Sequence, residues 1–219
     1  MIRTQEELID KVAADLIWRR KELTLLKSLV DGSKDDLILS NVLLRSSIAL
    51  LYAHWEGFVK KSSHYYLEYI AGQRLPYSKL TTNFVAMSIK SKFKELGGNE
   101  KLSAGNYLAD FFCNSLSEKS NIPYKKGIDT KSNLSSEVLI DIISALGFDI
   151  SQFETKLKFI DANLLLPRNN IAHGQELYLT LGEYEELHNN VITLIETFRN
   201  QIDNATAMKL YEKQLLVPS

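Results

Sequence analysis

Apolar residues recur along most of this chain in alternating steps of three and four, the spacing that lines up one face of an α-helix. The longest series is Leu44, Ile48, Leu51, Trp55, Phe58, Ser62, Tyr65 and Tyr69, which predicts a helix over about 36–71, closed by Gly72 and Pro76. Ahead of it, Leu8, Val12, Leu16, Leu23, Leu26 and Val30 predict a helix over about 4–30 that stops at Asp31-Gly32-Ser33. Toward the other end, Tyr184, Leu187, Val191, Leu194, Phe198 and Ile202 predict a helix over about 181–204. Shorter helices are expected over about 82–96, 103–117 and 135–146, the first ending at Gly97-Gly98 and the last at Gly147. Residues 176–180 read as a short extended piece, and nothing else resembles a strand. Long amphipathic helices separated by polar breaks give an all-α fold, an up-down helical bundle.

The 219 residues suit a single domain over 1–219, with an insertion at about 97–133 where the composition turns to Gly, Ser, Asn and Lys. Hydrophobic residues make up 45% and charged residues 24%, the proportions of an ordinary globular chain. A net charge of −1 removes any overall basic field, so contact with RNA has to come from a local patch or from pairing of chains. Cys113 stands alone, which leaves no intrachain disulfide and no Cys/His cluster of zinc type; beside Phe111 and Phe112 it reads as a buried apolar residue. Glu183, Glu185 and Glu186 open the last helix, where carboxylates meet the positive end of the dipole, so they read as capping charges rather than a metal site. No metal and no cofactor is expected. The polar start Met1-Ile2-Arg3-Thr4-Gln5-Glu6-Glu7 lacks the apolar core of a signal peptide, and no run approaches the ~18 apolar residues of a membrane span. The expected setting is the cytoplasm, away from membranes.

Candidate chemistry concentrates in Pro167-Arg168-Asn169-Asn170-Ile171-Ala172-His173-Gly174. An arginine offers a planar fork for phosphate oxygens. A histidine exchanges protons near neutral pH, so the two together suffice for phosphodiester cleavage in RNA. The run from Asn163 to Leu166 before Pro167 reads as the first turn of a short helix, and Gly174 as its left-handed terminator. His173 then falls in the last turn, beside carbonyls that favour the imidazolium. Asn169 and His173 share a face, whereas Arg168 lies about 140° round and must reach across with its long stem.

The wording Arg-Asn-x-x-Ala-His-Gly, on a short helix just before the final long one, resembles the HEPN family (higher eukaryotes and prokaryotes nucleotide-binding domains). The stretch from Arg45 to Phe58, with Tyr52-Ala53-His54-Trp55-Glu56-Gly57 at its end, is similar to the second helix of a stand-alone bacterial branch of toxin-type and defence-associated ribonucleases. The likeness covers about 36–71 and 160–204 and leaves out the insertion. It implies a bundle that pairs as a homodimer, with two Arg168/His173 sets facing one another across a cleft. The activity it implies is metal-independent endoribonucleolytic cleavage of an RNA substrate, leaving a 2′,3′-cyclic phosphate and a 5′-hydroxyl, with Asn169 holding the imidazole or the phosphate. The setting it implies is a toxin or antiphage effector, with a cognate antitoxin or another defence-system protein as partner. The alternative is a catalytically inactive bundle that binds a nucleotide or a protein in a toxin–antitoxin or restriction cassette.

Supporting residues are expected on the long second helix. Arg45, Tyr52 and Glu56 fall within about 20° of one direction, so that face can turn a carboxylate toward Arg168 or His173. Glu56 can equally be a structural ion pair. His54, His64 and His188 read as surface or boundary residues of amphipathic helices. Lysines interleaved with aromatics, such as Lys60, Lys61, Lys92, Lys125 and Lys126 with Tyr65 and Tyr124, suit single-stranded RNA but also describe ordinary snorkelling side chains. Of these, Lys125 and Lys126 in the insertion are the chosen RNA contacts.

Overall fold

The Thr4 hydroxyl accepts from the Glu7 N–H at 3.1 Å while the Glu7 carboxylate accepts from the Thr4 N–H, a capping box that starts helix α1, Gln5–Gly32. Asp36 caps α2, Leu37–Gln73, by accepting from the Leu39 N–H at 3.0 Å. Thr180 and Glu183 form a second capping box at the head of α8, Leu181–Ala207. These three long helices bury the apolar positions that their periodicity marks, with Tyr65 alone only half-buried. Phe198 of α8 is the hub. Its ring lies 6.3 Å from Trp55 and 6.5 Å from Phe58 of α2, edge-on to both, and 5.7 Å from Phe148.

The computed structural model describes residues 1–97, 101–125, 128–130 and 133–214. Within them the architecture is all-α, with two isolated bridges, Pro76 to Lys119 and Leu80 to Glu212, in place of any sheet. Residues 176–180 take no regular secondary structure, and Thr180 at their end is extended, φ −83° and ψ 159°. Helices α3, Thr82–Glu95, α4, Leu102–Asp110, and α5, Ser136–Leu146, match the expected short helices, and Gly147 ends α5 at φ +72°. The stretch expected to be an insertion therefore carries α4 and a π-helical turn over Phe111–Ser115, tied to the chain after α2 through Tyr77–Phe111 stacking at 4.9 Å.

Several expectations need correction. Cys113 is exposed, because the π turn points Phe111 inward and carries the following residues to the surface. Gly72 does not close α2; the helix continues to Gln73 and ends on Arg74 in a left-handed conformation, φ 53°. Gly72 serves close approach instead: a Cβ there would lie 2.2 Å from the Ile2 carbonyl oxygen. The sequence shows no membrane-length apolar run, yet by length and composition α2 is apolar enough to cross a bilayer, with an 18-residue window of mean hydropathy 1.4. That excess has a local cause. One face of α2 fills the bundle core, a second face bearing Ile38, Val42 and Leu50 stays exposed, and Leu37 is exposed in the first turn.

The motif helix is also longer than its sequence suggests. Leu157–Phe159, helix α6, a π-helical stretch over Ile160–Leu165 and α7, Leu166–Ala172, form one unbroken run that crosses α2. Pro167 sits inside this run, directly after the π turn. Proline has no N–H to give, and a widened turn is where a helix tolerates that loss.

Candidate functional site

Tyr52 is built into the core of α2, 1% exposed, and one face of its ring carries the guanidinium of Arg168, whose Cζ lies 4.4 Å from the ring centroid. The Nη1 of Arg168 donates to Asn169 Oδ1 at 2.7 Å and to Asn133 Oδ1 at 3.1 Å. The Tyr52 hydroxyl accepts from the Leu134 N–H at 2.6 Å, which fixes the strand of chain that brings Asn133 in. Burial pushes the Tyr52 phenol up to about 12, and the Glu56 carboxylate beside it, by charge and as an acceptor, pushes the same way. The Leu134 N–H and Arg168 oppose that shift without reversing it. The phenol is neutral at any physiological pH and acts as a floor for the arginine.

His173 is the C-cap of α7, at φ −90° and ψ 10°. Gly174 follows at φ +73°. Its N–H donates to the Ile171 carbonyl at 3.0 Å, and the Gln175 N–H donates to the Asn170 carbonyl at 2.9 Å. Those two bonds are the Schellman termination, which turns the chain sharply and leaves the residue before glycine at a corner. The His173 imidazole stands exposed on that corner, with no hydrogen bond or ion pair among the described residues. Arg45 Nη2 donates to the Gln175 carbonyl at 2.9 Å and so pins the turn from the α2 side.

Arg168, Asn169, Tyr52 and Glu56 thus come together where α7 packs on α2, Arg45 bonds the turn beyond them, and His173 stands on that turn. Asn169 bonds the guanidinium rather than the imidazole. A groove of about 570 Å³ opens beside it, lined by Ser135, Ser136, Asp161, Leu165 and Leu166. Lys125 is elsewhere, exposed farther along α2, and Lys126 lies outside the described residues. Two of the other histidines differ from expectation, and His64 is the boundary residue expected. His54 and His188 are buried, 3% and 9% exposed, while His64 is half-buried and donates from Nδ1 to the Tyr124 carbonyl at 3.0 Å. Of the three acidic residues at the head of α8, Glu183 is the cap, and Glu185 reaches Lys27 at 3.5 Å. Among the described residues no three His, Cys, Asp or Glu side chains group as metal ligands would.

Sequence reading missed Asn133, Leu134 and the Gln175 carbonyl. The first two lie 35 residues or so before Arg168 in a loop with no periodicity, and the third is a backbone group, so no side-chain pattern could mark them. The family model described as RiboL-PSP-HEPN matches residues 14–204, a span that contains every residue of this cluster. No curated protein and no solved structure gives a significant match.

Proposed function

The chain belongs to the RiboL-PSP-HEPN family, and from that premise we propose that it is a metal-independent endoribonuclease whose active site forms between two copies. The observation that carries this reading is the contrast within one motif. Arg168 is clamped flat against Tyr52 by Asn133 and Asn169, while His173, five residues on, is presented bare at a pinned corner. A fixed guanidinium suits charge that grows on phosphoryl oxygens during reaction. An accessible imidazole suits proton transfer.

In the proposed reaction the 2′-hydroxyl of RNA attacks the adjacent phosphorus as one His173 takes its proton. The bond from phosphorus to the 5′-oxygen breaks, and the second His173 protonates that leaving oxygen. The products are a 2′,3′-cyclic phosphate and a 5′-hydroxyl, and Arg168 from each copy bears the phosphoryl charge. Two histidines require two chains, and the outward face of α2 supports such pairing. Ile38, Val42, Ala49 and Ala53 lie within about 60° of the Glu56 direction on that helix, and Ile38 is 79% exposed and Val42 56%. An apolar strip of this kind beside a polar site suits burial by a second copy, and a twofold axis through it would bring both motifs to one cleft. A role as a toxin or antiphage effector, held by an antitoxin or another defence protein, goes with this activity.

The test is cleavage of a long unstructured RNA by purified protein in excess EDTA. The expected result is 5′-hydroxyl and cyclic-phosphate ends, with His173→Ala and Arg168→Ala each slower by at least about 100-fold while circular dichroism shows both still folded. Cleavage at the parental rate by either variant, or loss in EDTA that magnesium restores, overturns the scheme. Tight nucleotide binding without any cleavage by the parent protein would favour the inactive-bundle reading instead.

A further inference from the structure

We infer that a trough along α2, formed where the chain after α4 returns over Lys60 and His64, binds the stretch of single-stranded RNA that flanks the cleaved phosphate; this rests on the ribonuclease reading. Two grooves make up the trough. One, about 530 Å³, is lined by Tyr77, Lys92, Tyr107, Asn121, Tyr124 and Lys125. The other, about 440 Å³, is lined by Gly57, Lys60, Lys61, His64, Tyr124 and Lys125. Tyr124 and Lys125 wall both; the second groove lies against α2 and the first against α3 and α4.

The chemistry of the lining is that of a single-strand site. Tyr107, Tyr124 and His64 supply aromatic rings to the lining, the His64 and Tyr124 rings tilted by 46° at 5.7 Å. Base-on-aromatic stacking needs unpaired bases, which a duplex does not present. The His64 Nδ1–H is spent on the Tyr124 carbonyl, which fixes the tautomer and leaves Nε2 as the ring atom for a ligand. Lys60 and Lys125 are exposed on the rim, in a chain whose net charge is only −1. Asp15 pairs with Arg19 at 2.7 Å and Lys61 at 3.0 Å, and Glu95, which lines the first groove, with Lys92 at 3.2 Å, so the cationic character of the rim rests on Lys60 and Lys125.

The chain that walls the trough also reaches the candidate site. The chain meets α2 at His64 through Tyr124 and again at Tyr52 through Leu134, next to the Asn133 that holds Arg168. Twelve helical residues separate those two points, about 18 Å at ~1.5 Å per residue. That is the length of roughly five stacked nucleotides at ~3.4 Å each.

Fluorescence anisotropy of the full-length protein with labelled, fully 2′-O-methylated oligouridylates of increasing length tests this, since a methylated 2′-oxygen cannot attack. Affinity is expected to rise with length to about five to eight nucleotides and then level, with a duplex of equal length binding more weakly. Tyr124→Ala should weaken binding at least about fivefold, and the surface double variant Lys60→Glu/Lys125→Glu at least about tenfold, with a salt slope lower by about 1.4. With unmethylated RNA, the double variant should slow cleavage of a decamer more than that of a dinucleotide. Unchanged binding in both variants, or uridine monophosphate displacing the oligomer with equal affinity, overturns the trough. The two readings fail separately. Parental cleavage that ignores the trough variants removes the trough and keeps the ribonuclease, whereas oligomer binding that the variants abolish, without parental cleavage of unmethylated RNA, removes the ribonuclease.

Discussion

Arg168 owes its fixed position to three groups, the Tyr52 ring, Asn133 and Asn169, and the first of these is itself held by a backbone N–H. Tyr52→Phe keeps the ring and removes the acceptor for the Leu134 N–H, a donor beside a side chain that is fully buried. An orphaned donor of that kind costs about 1–3 kcal/mol. The expected outcome is a lower urea midpoint together with slower RNA cleavage, because Asn133 loosens while the cation–π contact survives. At this scale the sequence named both ends of the arrangement, Tyr52 and Arg168, from helix geometry and from motif spacing. Asn133 was invisible, since a loop residue announces no partner until the loop has a path.

The elements explain why His173 is presented rather than packed. A helix that ended in a frayed turn would leave the imidazole free to fold back, whereas α7 ends in a paired Schellman turn with Arg45 bonded to the next carbonyl. Gly174 sits at φ +73° with nothing within 4 Å of an added Cβ, so Gly174→Ala meets no clash and only the backbone penalty of about 1–2 kcal/mol. The predicted result is a melting temperature lower by several degrees and a larger proportional loss of cleavage than of stability, read by comparing the two assays. Gly174 could be recognised from its place after His173. Gly72 could not be read in the same way, because the reason for that glycine is Ile2, seventy residues earlier in sequence. Nor could the π turn before Pro167, whose extra residue follows from packing against α2.

At the scale of the molecule, α2 faces two ways, into a bundle core around Phe198 and outward along Ile38 and Val42. Val42→Arg puts a charge on the outward strip without touching the core. A folded monomer with cleavage reduced at least about tenfold is expected, by light scattering and RNA assay, on the view that one chain holds half the proton-transfer pair. Acid sensitivity belongs to the same scale. Burial holds the imidazoles of His54 and His188 below the ordinary histidine value, against the raising effect of Glu22 on the first and of Asn189 on the second. The unfolded chain then takes up protons first as pH falls, so this stability is full above about 6.5 and is lost as the pH drops toward the folded values. The urea midpoint should fall between pH 7.5 and 5.5, and less steeply in His54→Gln.

Periodicity by itself determined the three long helices, their buried faces and the all-α class, because each depends only on residues three and four apart. Short-range chemistry likewise sufficed for the capping charge Glu183 and for the glycine after His173. Tertiary structure alone decided what lies across from what: Asn133 against Arg168, Ile2 against Gly72, the burial of His54 and the exposure of Cys113. Those outcomes turn on how separate segments cross, and a crossing depends on the summed packing of the whole bundle, which no local run of residues contains.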